Sequence, residues 1–195
     1  MKKIAFLTVF LPLCGLWFIG QGSYIHAKAI VAQLLLEAAW TETLQGKKEV
    51  KPWPWADTWP VGRLSVPRLG INRIVLAGAS GQSLAFGPGH LFKSAAPGEF
   101  GNIVIAGHRD THFHFLKDLE IGDHIELQNR KGEILVFTVT RTGVTHEKNA
   151  ALLDQDNGHS LTLITCFPFN AVQPRGPLRY FVQGQYRVSK RTILT

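Results

Sequence analysis

From Pro60 onward the chain is a succession of short apolar or alternating runs broken by turn residues, and that rhythm limits the fold more than any other feature. Residues 63–66, 71–77, 102–106, 124–127, 133–142, 161–165 and 179–188 carry β-branched side chains or alternate apolar with polar ones. Leu69-Gly70, Ile121-Gly122-Asp123 and Arg130-Lys131-Gly132 supply turns between them. Seven or eight strands in about 130 residues, with no long helices alternating between them, predict an all-β domain with short helices, closed or nearly closed into a barrel. Two long connections interrupt the rhythm. Residues 78–101 hold six glycines and two prolines, and residues 144–160 carry a short helical pattern around 149–155. Connections of that length in a compact domain are usually functional.

The first sixty residues have a different character. Lys2 and Lys3 precede a sixteen-residue apolar run from Ile4 to Ile19, near the length of about 20 residues that spans a bilayer. A positive start orients such a segment with its N-terminus inward. Ala27-Lys28-Ala29 offers a small-x-small cleavage site, but it lies ten residues past the apolar run, too distant for a signal peptidase site. An uncleaved transmembrane signal anchor over residues 1–23 is therefore the expectation. Residues 24–60 follow as a membrane-proximal helix, with Ile25, Ala29, Ala32, Leu36 and Ala39 at helical spacing, and then a linker rich in tryptophan and proline. Its tryptophans either anchor at the lipid interface or pack on the domain, and packing is the favoured reading. The barrel domain then spans 61–195, outside the membrane. The net charge of +7 is scattered rather than gathered into basic blocks, so no nucleic-acid partner is expected; a basic surface beside an anionic leaflet explains it.

Within the barrel pattern, the run Leu161-Thr162-Leu163-Ile164-Thr165 ends at Cys166, and the only other cysteine, Cys14, lies in the apolar N-terminal run. A disulfide between them is excluded by that placement, so Cys166 reads as a free thiol in an exported domain, reactive rather than structural. A thiol with the ordinary pKa of about 8.5 is only slightly ionised at neutral pH, and a nucleophilic cysteine needs an imidazole or guanidinium nearby. Of eight histidines, His108 is the strongest candidate, because Ile103-Val104-Ile105-Ala106-Gly107 delivers it at the end of a strand, past a glycine that permits close approach. His26 and His124 read as surface residues, and His90, His146 and His159 as loop residues able to line a cleft. His112 and His114 raise a zinc alternative, weakened because no glutamate follows His108 to make H-E-x-x-H and no aspartate or histidine follows His114 at the H-x-H-x-D-H spacing. Arg179, opening the last strand, is the candidate donor to a developing oxyanion; Arg175, in the preceding loop, is its rival. No metal and no cofactor are expected.

Leu161 to Cys166, together with Ala106-Gly107-His108 and Leu178-Arg179-Tyr180-Phe181-Val182, resembles the three motifs of the sortases, the cysteine transpeptidases of bacterial surfaces. Trp53-Pro54-Trp55-Ala56-Asp57, Gly78-Ala79-Ser80-Gly81, Phe86-Gly87-Pro88-Gly89-His90 and the run from Gly107 to Phe113 are similar to the sortases of marine Gram-negative proteobacteria, the class GN subtype. The resemblance implies an eight-stranded sortase-like barrel. It implies a single-pass enzyme of the inner membrane facing the periplasm, cleaving an LPxTG-like C-terminal sorting signal of an exported protein and transferring it to an amine acceptor. Carried onto this chain, Cys166 is the nucleophile, His108 the general acid and then base, and Arg179 the group that binds the signal and stabilises the oxyanion. Thr165, Ala106, His90 and Phe169 are the expected substrate-binding residues. Hydrolysis at the same kind of site, a membrane-anchored binding module and a metal hydrolase are the alternatives.

Overall fold

The computed structural model describes residues 2–149, 158–171 and 176–187. Helix α1 (Lys2–Leu44) runs unbroken for 43 residues, so the anchor and the membrane-proximal helix expected on either side of residue 23 are one element. Gly20 and Gly22 cost only about 1 kcal/mol each in a helix interior, and no proline follows them before the end at Leu44 to force a break. The expected face is partly right. Ala32, Leu36 and Ala39 are buried, joined by Trp40 and Thr43, while Ala29 is exposed. Leu36 and Trp40 pack on Ile74 and Leu76, and the Glu37 carboxylate pairs with Arg63, which fastens the second half of α1 to the outside of the barrel. Most side chains of the expected transmembrane span, residues 1–23, lie outside the described set; among the described residues no helix is long and apolar enough to cross a membrane.

Eight strands close a barrel: β1 (Pro60–Val66), β2 (Ile71–Ala77), β3 (Gly89–His90), β4 (Asn102–Ala106), β5 (His124–Asn129), β6 (Ile134–His146), β7 (Ser160–Cys166) and β8 (Leu178–Tyr186). The spatial order is β1-β2-β3-β4-β7-β8-β6-β5, with β5 returning to β1. The pairs β2/β3 and β4/β7 are parallel and the rest antiparallel. Alternation explains β1, β5 and β6, whose inward side chains include Leu64, Val66, Ile125, Leu127, Phe137 and Val139. In β4 and β7 the first four residues of each strand are all buried, which is why these two read as continuous apolar runs. Between them, the Thr162 hydroxyl donates to Asn102 Oδ1 at 2.9 Å, a buried polar pair satisfied internally.

The strands the residues predicted are all present, and β3 is the eighth. At two residues it is too short to show a period. The 78–101 connection holds it, together with a one-turn helix α2 (Gly81–Leu84) whose N-cap Ser80 accepts from Ser83 N–H. The 144–160 connection is shorter than expected because β6 continues to His146; the helical pattern around 149–155 falls mostly outside the described residues, as do Arg175 and the expected end of the last strand at Val188. In the Trp-rich linker, Trp53 meets the Phe86 ring edge-on at 4.7 Å and Trp59 packs on the barrel core, while Trp55 is exposed.

Candidate active site

Strands β4, β7 and β8 are neighbours, and each of the three candidate residues stands at the same end of its strand. Cys166 is the last residue of β7, half-buried and unpaired. The antiparallel register sets it directly opposite Arg179 on β8, so their Cβ atoms are about 4.5–5.5 Å apart on one face of the sheet. That face is the outer one. Leu161, Leu163 and Val182, one residue out of phase, belong to the core. On the other side, β4 runs parallel to β7 with Ala106 beside Ile164. The chain continues in step: Gly107 N–H donates to the Ile164 carbonyl at 3.1 Å, and the Thr165 hydroxyl donates back to the Gly107 carbonyl at 2.7 Å. His108, exposed, comes next, level with Cys166.

Gly107 has a steric reason to be glycine. A Cβ there would stand 2.7 Å from the ring of Phe113, which is fully buried. The loop after β4 folds back on itself at this point, with Phe113 N–H donating to the His108 carbonyl at 3.0 Å.

Arg179 is held from three directions. Nη2 donates to Glu147 Oε2 at 2.6 Å, and Nη1 donates to the carbonyls of Gly176 at 2.6 Å and Leu178 at 2.9 Å. Glu147 is pinned in turn, its N–H donating to the Pro177 carbonyl at 2.8 Å. A guanidinium has five N–H donors, so Nε–H and one hydrogen on Nη2 have no partner among the described residues.

The expected substrate-binding residues divide. Ala106 is half-buried beside the site, and Phe169 is half-buried in an aromatic group with Phe167, Tyr180 and His114, at 6.3, 5.3 and 6.3 Å between ring centroids. Thr165 is 3% exposed and its hydroxyl donates to the Gly107 carbonyl, so its side chain ties β7 to β4. His90 is also buried. It is 5% exposed, with Nε2 within 2.8 Å of the Ala95 carbonyl oxygen and 3.1 Å of Ser94 Oγ, because β3 is clasped between β2 and β4 and faces its imidazole into the connection that follows. Burial pushes its pKa below the usual histidine value.

Two residues near the site carried no clear sequence signal. Arg109 is buried and Glu147 braces Arg179. His112 is half-buried and bonded to the Ala85 carbonyl; burial lowers its pKa, and the charges of Arg73 and His108 lower it further. The zinc alternative finds no support in the placement of these histidines. His114 lies against Lys117 and the Arg109 carbonyl, and among the described residues no three metal-ligating side chains converge.

A family model described as the sortase domain matches residues 64–187. Sortase D of Bacillus subtilis (strain 168) is 28% identical over 202 residues, covering 95% of this chain and 98% of its own. Among solved structures, sortase A from Corynebacterium diphtheriae is similar with a TM-score of 0.64 and 26% identity, over 83% of this chain and 86% of that one. A sortase D5 transpeptidase from Clostridium perfringens has a TM-score of 0.59 over 77% of this chain and 88% of its own; at 24% identity that likeness is one of fold.

Proposed function

The chain belongs to the sortase family of transpeptidases that act on sorting signals, and from that premise we propose that it cleaves an LPxTG-like C-terminal signal of an exported protein and passes the new acyl end to an amine. The observation that carries this reading is the register of three adjacent strands, which sets His108, Cys166 and Arg179 at one end of the barrel with Cys166 opposite Arg179. In the first half-reaction the Cys166 sulfur attacks the carbonyl carbon before the scissile bond. The oxyanion that forms accepts an N–H from Arg179, whose two unpartnered donors are available for it. As the C–N bond breaks, His108 gives its proton to the departing amine, leaving a thioester on Cys166. In the second half-reaction His108 takes a proton from the incoming amine, whose nitrogen attacks the thioester carbonyl; the new amide forms and the Cys166 sulfur leaves.

The barrel is proposed to face the periplasm from the inner membrane, tethered by the segment that begins Lys2-Lys3 and continues through the apolar run from Ile4 to Ile19. The runs at residues 53–57, 78–81, 86–90 and 107–113 support placing the chain with the class GN sortases of Gram-negative bacteria.

The test is incubation of the full chain in detergent with a fluorescent LPxTG-type peptide and a small primary amine. The expected product is the amine adduct, with Cys166→Ala inactive and His108→Ala slower by about 10²–10⁴-fold. Release of the free acid alone, at every amine concentration, would mark the protein as a hydrolase and sink the transfer reading. Unchanged processing by Cys166→Ala would remove the thiol mechanism altogether. Loss of product to a chelator, with resistance to thiol alkylation, would point instead to metal chemistry.

A further inference from the structure

Arg109 follows His108 directly, yet its side chain turns away from the surface. It is 6% exposed, the only buried arginine among the described residues. Its Nη1 donates to the Pro168 carbonyl at 2.8 Å and its Nη2 to the Ala171 carbonyl at 2.7 Å. Pro168 and Ala171 lie in the segment that leaves Cys166, so one guanidinium joins the loop of the candidate acid–base group to the loop of the candidate nucleophile. The carboxylate nearest to it contributes less. Asp110 Oδ1 is 3.3 Å from Nε on a side chain that is 68% exposed, a longer and more solvated contact than the two carbonyl bonds.

Burying a cation is unfavourable unless its donors are satisfied, and an apolar side chain of similar volume would fill the same space without that cost. What it would not do is grip two carbonyls three residues apart. Only a planar fork with separated donors does that in a fixed orientation. The seat is completed on both sides: a ring nitrogen of His114 lies 3.2 Å from the Arg109 carbonyl oxygen, and Phe169, between the two gripped carbonyls, packs on Tyr180 at 5.3 Å.

We infer that Arg109 is a positioning residue for the transfer reaction: bonded to the carbonyls of Pro168 and Ala171, it holds the Cys166 thiol and the His108 imidazole in one frame. This rests on the reading of Cys166 and His108 as nucleophile and acid–base group. Both half-reactions move a proton between His108 and an amine nitrogen bonded or bonding to the acyl carbon on Cys166, so both depend on that separation. Arg179, read above as the group that binds the signal, stands on β8, on the other flank of Cys166 from the clamp. Loosening the clamp therefore lowers kcat and spares KM.

The experiment compares Arg109→Gln and Arg109→Lys with the wild-type full chain by kcat and KM with an LPxTG-type peptide and an amine, by the pH profile of iodoacetamide alkylation at Cys166, and by thermal unfolding. For Arg109→Gln, kcat is expected to fall about 100-fold with KM within about three-fold, since small misplacements of reacting groups have effects of that size, and the alkylation profile is expected to move along the pH axis. Arg109→Lys, with one compact donor group in place of a fork, is expected to recover part of both. A loss of melting temperature with kcat and the alkylation profile unchanged overturns the inference, as does a loss expressed wholly in KM. Failure of both variants to fold overturns it too, in favour of a structural role. The alkylation comparison needs no sorting signal. A wild-type chain that alkylates at Cys166 but transfers no peptide therefore counts against the proposed reaction, while the Arg109 comparison is still read.

Discussion

Arg179 spends three of its five guanidinium N–H donors on Gly176, Leu178 and Glu147, and that division sets what each neighbour contributes. The carbonyls of Gly176 and Leu178 and the carboxylate of Glu147 fix its orientation, so its two remaining donors are held in place before any substrate arrives. Replacing it with lysine keeps the charge and loses the fork; kcat/KM for the sorting signal is expected to fall about 10²–10³-fold, the usual effect of losing an oxyanion donor. Glu147 contributes less. The pair is partly solvated, with side chains 22% and 44% exposed, and pairs of that kind stabilise by at most about 1 kcal/mol. Glu147→Gln is therefore expected to lower kcat/KM by no more than about five-fold, with the deficit shrinking as salt is raised; a loss as large as that of Arg179→Lys would make Glu147 part of the chemistry instead. At Gly107 the expectation is steric. Gly107→Ala drives a methyl into the buried Phe113 ring, so unfolding free energy should drop by about 1–3 kcal/mol and transfer should slow, because His108 is the next residue. The sequence disclosed this glycine, since a small residue between an apolar strand and a histidine signals close approach. It did not disclose Arg109, because an arginine beside an exposed histidine reads as solvated until the carbonyls that receive it are placed.

At the scale of elements, what was legible is what has a period. Strands β1, β2 and β4 to β8 carry alternation or long apolar runs. The short strand β3 carries neither, and its existence depends on β2 and β4 arriving on either side of it. Its location is enforced by crowding: a Cβ on Gly89 would stand 2.2 Å from the Gly78 carbonyl oxygen, so no side chain fits while β3 pairs with β2. The connections were legible only as connections. Nothing local to Arg68 or Asp123 foretells that they meet across 55 residues, where the guanidinium takes both carboxylate oxygens at 2.6 Å and ties the turn after β1 to the start of β5. That bond, the largest influence on Asp123, holds its carboxyl below the ordinary aspartate range. The group is ionised more readily in the folded state than in the unfolded one, so its contribution is complete above the unfolded value of about 3.9 and vanishes as pH falls through the lower folded value. Thermal unfolding should show Asp123→Asn melting below wild type at pH 6, with the two curves approaching each other between pH about 4 and 2. A constant offset through that range would mean that packing, not the charge, is what the carboxylate supplies.

For the molecule as a whole, α1 and the barrel were separable in the sequence and are joined in the structure by contacts a single sequence does not reveal. The face of Ala32, Leu36, Ala39 and Trp40 meets Ile74 and Leu76 on the outer side of β2, so the helix braces the same strand whose end leads into the 78–101 connection. That connection buries His90, and its helix-capping Ala85 carries the carbonyl that receives His112. Two imidazoles on either side of one connection are thus held where burial, the largest influence on each, disfavours the charged form. The carbonyls of Ala95 and Ala85 act in the opposite sense and only reduce the effect, as does Glu99 near His90. The sign follows from the proton count. Each group binds its proton more weakly when folded than when unfolded, so the unfolded state takes up more protons as pH drops, and stability is lost between the ordinary histidine value of about 6.5 and the lower folded value. This window lies above that of Asp123, so the two effects separate on a pH axis. His90→Gln keeps an amide donor for the Ala95 carbonyl and removes the titration. Its melting temperature should lie below wild type at pH 8 and decline less steeply from pH about 7 to 5, bringing the two curves together under acid conditions. Parallel curves over that interval would show that the buried imidazole takes its proton as readily in the folded barrel as in the open chain, and would shift the acid sensitivity of the 78–101 connection to His112 alone.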